Sequence, residues 1–87
     1  MIVRLRFFAS LRERLRRSEA EYTLADGANV KDLWAALCAD YPQLAELGTS
    51  VSFAVNQEYV DREHRLSNND EVALIPPVSG GIDVPDR

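Results

Sequence analysis

Four short segments of this 87-residue chain carry apolar residues at every second position. This alternation is typical of β-strands with one buried face. The segments are residues 2–8, 19–25, 51–56 and 71–77, and "EYV" at 58–60 is expected to add a short fifth strand. The residues expected to face the core are Val3, Leu5, Phe7, Ala20, Tyr22, Leu24, Val51, Phe53, Val55, Val72 and Leu74. Such a chain must form a sheet and cover one face of it.

One helix is predicted to supply that cover, between the second and third strands. Asn29 is a typical N-cap residue, with Asp32 three positions later as in a capping box. Apolar residues then follow at helical spacing until a proline ends the helix: Val30, Leu33, Trp34, Leu37, Tyr41 and Pro42. Residues 9–17 are amphipathic through Leu11 and Leu15, which indicates a helical turn or loop.

The order β-β-α-β-(β)-β predicts an α+β domain, a mixed sheet with one main helix across one face. The opposite face is then open to solvent or to a partner. By alternation it carries Arg4, Arg6, Phe8, Ala54, Tyr59 and Ile75. Exposed aromatic and aliphatic groups beside arginines are typical of a docking surface, although apolar residues scattered singly over a surface are also normal.

Composition argues against several classes of function. A single cysteine, Cys38, permits no intrachain disulfide and is expected to be a packed, inert thiol. A single histidine, His64, argues against a zinc site or a histidine-based triad. No apolar run reaches the length of a membrane span, and the alternating N-terminus does not resemble a secretory signal. We therefore expect a cytoplasmic protein that does not bind or span a membrane.

Charge is distributed unevenly along the chain. Residues 1–17 carry a net charge of +5, whereas residues 18–87 carry −9. A basic segment can contact phosphate, but a net charge of −4 argues against a nucleic-acid-binding protein. The N-terminal basic segment is better explained as a solvated surface or as a patch that faces a partner.

Three stretches carry a resemblance to a known family: "FFASLRERL" (7–15), "AVNQEYV" (54–60) and "NDEVALIPPVSGG" (69–81). They resemble the MoaD family, the small sulfur-carrier subunits of molybdopterin synthase, which are related to ThiS-type carriers. The resemblance covers residues 1–81 and implies the ubiquitin-like β-grasp fold. The element order predicted from the residues alone agrees with that fold.

The resemblance implies that the chain acts as a carrier and is not catalytic alone. The carboxylate of Gly81 would be adenylated by a MoeB-type adenylyltransferase with Mg and ATP, and then converted to a thiocarboxylate. A MoaE-type large subunit would hold the active site in which this sulfur builds the dithiolene of molybdopterin. No permanently bound cofactor and no metal site are expected in the carrier itself.

The same resemblance assigns roles to the end of the last strand. Gly80 and Gly81 lack a Cβ, so a tail ending in them can enter a narrow channel. Pro76 and Pro77 fix their φ angles and would project the tail outward, and residues 76–81 reach at most ~20 Å when extended. Together with the open face of the sheet, this gives the residues expected to bind a partner: Arg4, Arg6, Phe8, Tyr59, Ile75, Pro76, Pro77 and Val78.

The chain departs from the family pattern after the second glycine, because "IDVPDR" (82–87) follows it. The carboxyl group of Gly81 is therefore in a peptide bond. We expect residues 1–81 to be the carrier domain, with residues 82–87 either removed by a protease or serving as a linker to a fused large subunit. Two alternatives stay open: a carrier for another thiolation pathway, such as thiamine or cysteine synthesis, and a non-catalytic β-grasp interaction module.

Overall fold

The computed structural model of the protein describes residues 1–77, with the side chain of Thr49 excepted. The described elements are strand β1 (Ile2–Phe7), helix α1 (Ala9–Leu15), strand β2 (Glu19–Thr23), helix α2 (Val30–Asp40), a 3₁₀ helix (Pro42–Ser50), and strands β3 (Ser52–Val55), β4 (Glu58–Val60) and β5 (Glu71–Ile75). The four strands and the main helix predicted from sequence are present, and so is the short strand at 58–60.

The five strands form one mixed sheet in the order β2-β1-β5-β3-β4. β1 pairs antiparallel with β2 and parallel with β5, whereas β3 pairs antiparallel with both β5 and β4. The last strand of the chain therefore lies in the middle of the sheet. This arrangement with a crossing helix is the α+β, ubiquitin-like β-grasp architecture expected from the sequence.

Alternation correctly predicts which strand residues are buried. The buried members of the core are Val3, Leu5, Phe7, Leu11, Leu15, Val30, Leu33, Leu37, Leu44, Val51, Phe53, Val55, Leu66, Val72 and Leu74. Ala20, Tyr22 and Leu24 of the β2 segment are only partly buried, because β2 is an edge strand, but they pack against this core. Every inward position predicted on β1, β3 and β5 is therefore confirmed.

Helix α2 begins as its sequence predicts. The backbone N–H of Asp32 donates to Oδ1 of Asn29 at 2.9 Å, and the backbone N–H of Asn29 donates to Oδ2 of Asp32 at 3.0 Å, which completes a capping box. Pro42 prevents the α-helix from continuing, as predicted, but a 3₁₀ helix that was not predicted from the sequence begins at that residue. This helix adds Leu44 to the core.

Arg62 connects the loop after β4 to the end of the 3₁₀ helix. Its guanidinium lies 5.4 Å from the ring centroid of Trp34 and 5.0 Å from that of Phe53. Nη2 donates to the backbone carbonyl oxygens of Gly48 at 2.9 Å and Val51 at 3.2 Å. The side chain thus combines cation–π contacts with hydrogen bonds that hold the chain as it enters β3.

Candidate functional site

The face of the sheet opposite α2 carries the residues that the sequence marked for partner binding. We call it the outer face. Strand register divides it into two parts, one lined by charged side chains on β2 and β1 and one lined by apolar side chains towards β3 and β4. β5 contributes to both parts, since Glu71, Ala73 and Ile75 alternate with its buried residues.

The charged half of the outer face consists of Arg4, Arg6, Glu19, Glu21 and Glu71. Arg4 lies between Glu21 and Glu71 in the sheet register, and Arg6 lies opposite Glu19. Nη1 of Arg6 donates to Oε2 of Glu71 at 3.3 Å. Because glutamates lie beside both arginines in the register, the predicted partner-binding residues Arg4 and Arg6 belong to a surface of mixed charge rather than a positive one.

The apolar half consists of Phe8, Ala54, Tyr59, Ala73 and Ile75. Phe8 and Tyr59 are 38% and 73% exposed, which is unusual for large aromatic residues. Ile75 is half-buried and lines the same depression as Phe8. The expected exposure of Ala54 is wrong: it lies between Ala73 and Tyr59 across the strands and only 7% of it is exposed. A small residue in mid-sheet is covered by its neighbours.

Arg6 also connects the two halves. Its guanidinium lies 5.8 Å from the ring centroid of Phe8, while its ion pair is with Glu71. Phe8 follows the end of β1, and its backbone N–H donates to the carbonyl oxygen of Leu74 at 3.3 Å. The backbone of Phe8 is therefore held by the middle strand, and the cation of Arg6 contacts the face of its ring.

The base of the tail lies at the end of β5, where two prolines follow Ile75. Pro76 is buried and Pro77 is exposed, so the direction in which the chain leaves the sheet is fixed at the first proline. A shallow depression beside them is lined by Phe8, Ala9, Ser10, Glu13, Ile75, Pro76 and Pro77. The predicted site residues Val78, Gly80 and Gly81 lie outside the described residues.

Several residues of this site were not singled out from the sequence, namely Ala9, Glu19, Glu21, Glu71 and Ala73. Glu71 and Ala73 share a face with Ile75, and the same alternation that identified Ile75 could have found them. Ala9 has a φ of 50°, a left-handed backbone angle that is unusual for a residue with a Cβ. Nothing in the local sequence indicates that angle, which occurs at the turn from β1 into α1 beside the tail.

The other candidate groups lie away from the outer face. Burial raises the pKa of the Cys38 thiol on α2, which favours its unreactive protonated form. His64 is exposed in a loop, as expected. Among residues 1–77, no cluster of three or more histidine, cysteine, aspartate or glutamate side chains is arranged to hold a metal ion. None of the helices in that range is long and apolar enough to cross a membrane.

Comparison with known proteins gives consistent results. The model of the ThiS family matches residues 5–81. The molybdopterin synthase sulfur carrier subunit of Chlamydomonas reinhardtii is 41% identical over 83 residues, covering 93% of this chain and 100% of that protein. SAMP1 from Haloferax volcanii has a similar structure, with a TM-score of 0.82, 26% identity and coverage of 93% and 100%.

A third similar protein is found in a complex. The structure of subunits 1 and 2 of the molybdopterin-converting factor from Helicobacter pylori 26695 matches with a TM-score of 0.66 and 26% identity. The match covers 93% of this chain and 100% of the matched chain. The similarity thus extends over nearly the whole chain in sequence and in structure.

Proposed function

Because the chain belongs to the ThiS family, we propose that it is the small sulfur-carrier subunit of a molybdopterin synthase, with Gly81 as the residue that carries the sulfur. The observation that supports this most strongly is the full-length similarity to a curated sulfur carrier subunit of that enzyme. The position of Pro76 and Pro77 supports it as well, since the chain leaves the middle strand beside Phe8 and Ile75 of the apolar half.

The proposed chemistry begins with a carboxylate, which is a poor electrophile. An activating adenylyltransferase would join the Gly81 carboxylate to AMP from Mg-bound ATP, with pyrophosphate leaving. A sulfur donor would then displace AMP from the carbonyl carbon and leave a thiocarboxylate. The nucleotide and the metal belong to that partner. In this scheme the chain supplies the carboxyl group and the surface by which each partner holds it.

The residues of the outer face would position the tail. Phe8, Tyr59 and Ile75 offer apolar area that a partner can bury, which is the usual role of aromatic anchors in an interface. The paired charges of Arg6 and Glu71 can form the polar rim beside them. Pro76 and Pro77 would then direct the tail into the partner with little loss of conformational entropy.

A large subunit is the expected receiving partner. The similar chain from Helicobacter pylori is in a complex of subunits 1 and 2 of its converting factor, and we infer that this chain assembles in the same way. The adenylyltransferase is inferred from the resemblance to the family, and the chemistry agrees, since the carboxylate of Gly81 needs activation. A cytoplasmic location remains a prediction from sequence.

Residues 82–87 have to be removed for this scheme to work, and a linker to a fused large subunit would likewise have to be cut after Gly81. The family match ends at residue 81, which supports a carrier domain of residues 1–81. As long as Ile82 follows Gly81, the carboxyl group is an amide and cannot be adenylated. We therefore propose that the chain ending at Gly81 is the active form.

The experiment that tests the function uses the chain ending at Gly81 in its thiocarboxylate form. It is mixed with the large subunit from the same source and with cyclic pyranopterin monophosphate, and molybdopterin is measured. We expect product from the thiocarboxylate and none from the same chain carrying an ordinary carboxylate. A complex without product would point to a carrier for another thiolation pathway, whereas no complex at all would contradict the proposal.

A second candidate is favoured by the similarity to SAMP1, which is named a small archaeal modifier protein. The same acyl-adenylate could react with a lysine amine, forming an amide bond to another protein and releasing AMP. This candidate predicts that Gly81 becomes linked to lysine side chains in extracts supplied with ATP. Peptide mass spectrometry would detect such links, and they are not expected from a dedicated sulfur carrier.

A further inference from the structure

We propose that four arginines of α1 and the turn after it form a second docking element, which binds an acidic surface of the large subunit beside the opening that receives the tail. The α1 arginine cluster consists of Arg12, Arg14, Arg16 and Arg17. The identity of the partner rests on the proposed function. The position and charge of the cluster rest on the structure alone.

The parallel pairing of β1 and β5 brings the cluster to the tail. Parallel strands end at the same edge of a sheet, and Phe7 lies opposite Leu74 in this pair. α1 therefore begins at the edge where the tail leaves. Glu13, which lies between two arginines of the cluster in sequence, lines the depression beside Pro76 and Pro77. A protein that holds the base of the tail must come close to α1.

The arginines of the cluster are available for a partner. All four are exposed, whereas Leu11 and Leu15 bury the other side of the helix. In residues 1–77, none of the four forms an ion pair within 4.0 Å or a side-chain hydrogen bond. By contrast, Arg6 on the neighbouring outer face is paired with Glu71. The α1 arginine cluster thus places positive charge without an ion pair, among residues 1–77, on the element that begins at the edge where the tail leaves.

The stability of the helix explains only some of these arginines. Basic residues in the last turn interact favourably with the helix dipole, which explains Arg12 and Arg14. Arg16 lies at the C-cap with a φ of 57°, where glycine is the usual residue because it has no Cβ. An arginine at this position adds charge to the surface at a cost to the backbone.

An acidic protein surface fits this cluster better than a nucleic acid does. Residues 18–87 carry a net charge of −9, so an extended polyanion would be repelled by most of the molecule. A local acidic patch on a folded partner can contact α1 while the rest of the chain faces away from it. Guanidinium groups also pair with carboxylates through two parallel hydrogen bonds, which gives such a contact a defined geometry.

The test compares two double variants of the chain ending at Gly81, which retains every element of the described fold. Arg14→Gln/Arg17→Gln removes two charges from the cluster, and Lys31→Gln/Arg65→Gln removes two exposed charges elsewhere. Each lowers the net charge by two, so a general electrostatic effect is the same in both. Association and dissociation rates with the large subunit are measured at low and high salt, with thermal melts to verify folding.

We expect the cluster variant to associate about tenfold more slowly at low salt and to lose most of that difference at high salt. The control variant should stay within about twofold of the unmodified chain. Equal rates for the two variants overturn the proposal. The proposal is also overturned if the cluster variant loses binding to heparin while its rates with the large subunit stay unchanged. That result would show that the cluster binds a polyanion. If the unmodified chain does not bind the large subunit, the proposed function fails as well, and that result is distinct from the others.

Discussion

At the scale of single residues, Phe7 and Phe8 show that two neighbours at the end of a strand can have different roles, one in the core and one on the surface. The two rings are adjacent in sequence, yet Phe7 is 2% exposed in the core and Phe8 is 38% exposed on the outer face. Successive strand residues point to opposite faces, so one aromatic residue stabilises the sheet while the next is available to a partner. The contact of Arg6 with the ring of Phe8 further fixes the exposed member of the pair.

This pair gives a matched test of the outer face. Phe8→Ala should weaken binding to the large subunit by ~2 kcal/mol, because buried aromatic anchors often carry that much of an interface. Its melting temperature should change little. Phe7→Ala should instead lower the free energy of unfolding by ~3–5 kcal/mol through the cavity that it leaves. Titration calorimetry measures the binding and thermal melts measure the stability. A large loss of stability in Phe8→Ala with unchanged binding would show that the outer face is not the binding surface.

At the scale of elements, a side-chain contact connects the edge strand β2 to the end of α2. The hydroxyl of Tyr22 donates to Oδ2 of Asp40 at 2.6 Å. Burial and then this hydrogen bond raise the pKa of Tyr22 well above its ordinary value of about 10. The contact holds the C-terminal end of the helix against a strand that has a neighbour on only one side.

The raised pKa makes this contact sensitive to alkaline pH. The unfolded chain releases the Tyr22 proton near pH 10 while the folded chain retains it, so the stabilisation is complete below that pH and is lost as the pH rises further. Tyr22→Phe should cost about 1 kcal/mol at pH 7, and that cost should shrink above about pH 10. Denaturant unfolding of both proteins from pH 7 to 11 measures it. A cost that stays constant over this range would contradict the assigned hydrogen bond.

The elements also show which parts of the fold can be predicted from the sequence alone. The strands were predictable because their buried residues, such as Leu5 and Val72, belong to apolar sets that recur at every second position, and α2 was predictable because Asn29 and Asp32 cap it. The 3₁₀ helix that begins at Pro42 was not, because the proline was interpreted only as the end of the preceding helix. The exposure of Ala54 was wrong because alternation gives the face of a residue but not how closely its neighbours cover it.

For the candidate site, alternation identified the outer face through Phe8 and Ile75. It could not show that Arg6 is neutralised by Glu71, because that depends on which strands become neighbours. The same holds for the position of α1 beside the tail, which follows from the parallel pairing of β1 with β5. Contacts between distant segments are set by topology, and topology was inferred from the resemblance rather than from the residues.

At the scale of the whole molecule, the fold brings three features to one region. The base of the tail follows the middle strand, Phe8 and Ile75 of the apolar half lie next to it, and α1, which carries the arginine cluster, begins at the same edge. A single core beneath the sheet supports all three. This arrangement suits a protein whose reactive group is carried to other proteins, because in the proposed scheme the surface that binds a partner would also direct the tail into it.

The central claim is that Gly81 carries the sulfur once its carboxyl group is free, and intact mass tests it most directly. The full chain and the chain ending at Gly81 are each incubated with the adenylyltransferase, Mg, ATP and a sulfur donor. A third sample, the shortened chain with Gly81→Val, controls for the need of a glycine, with a thermal melt to show that it folds.

The shortened chain should gain the mass difference of one sulfur replacing one oxygen, while the full chain stays unchanged. Gly81→Val should convert at least about a hundredfold more slowly, since a side chain misplaces the reacting carbonyl. Conversion of the full chain without cleavage, or an unmodified shortened chain under conditions that convert a known carrier, would contradict the account.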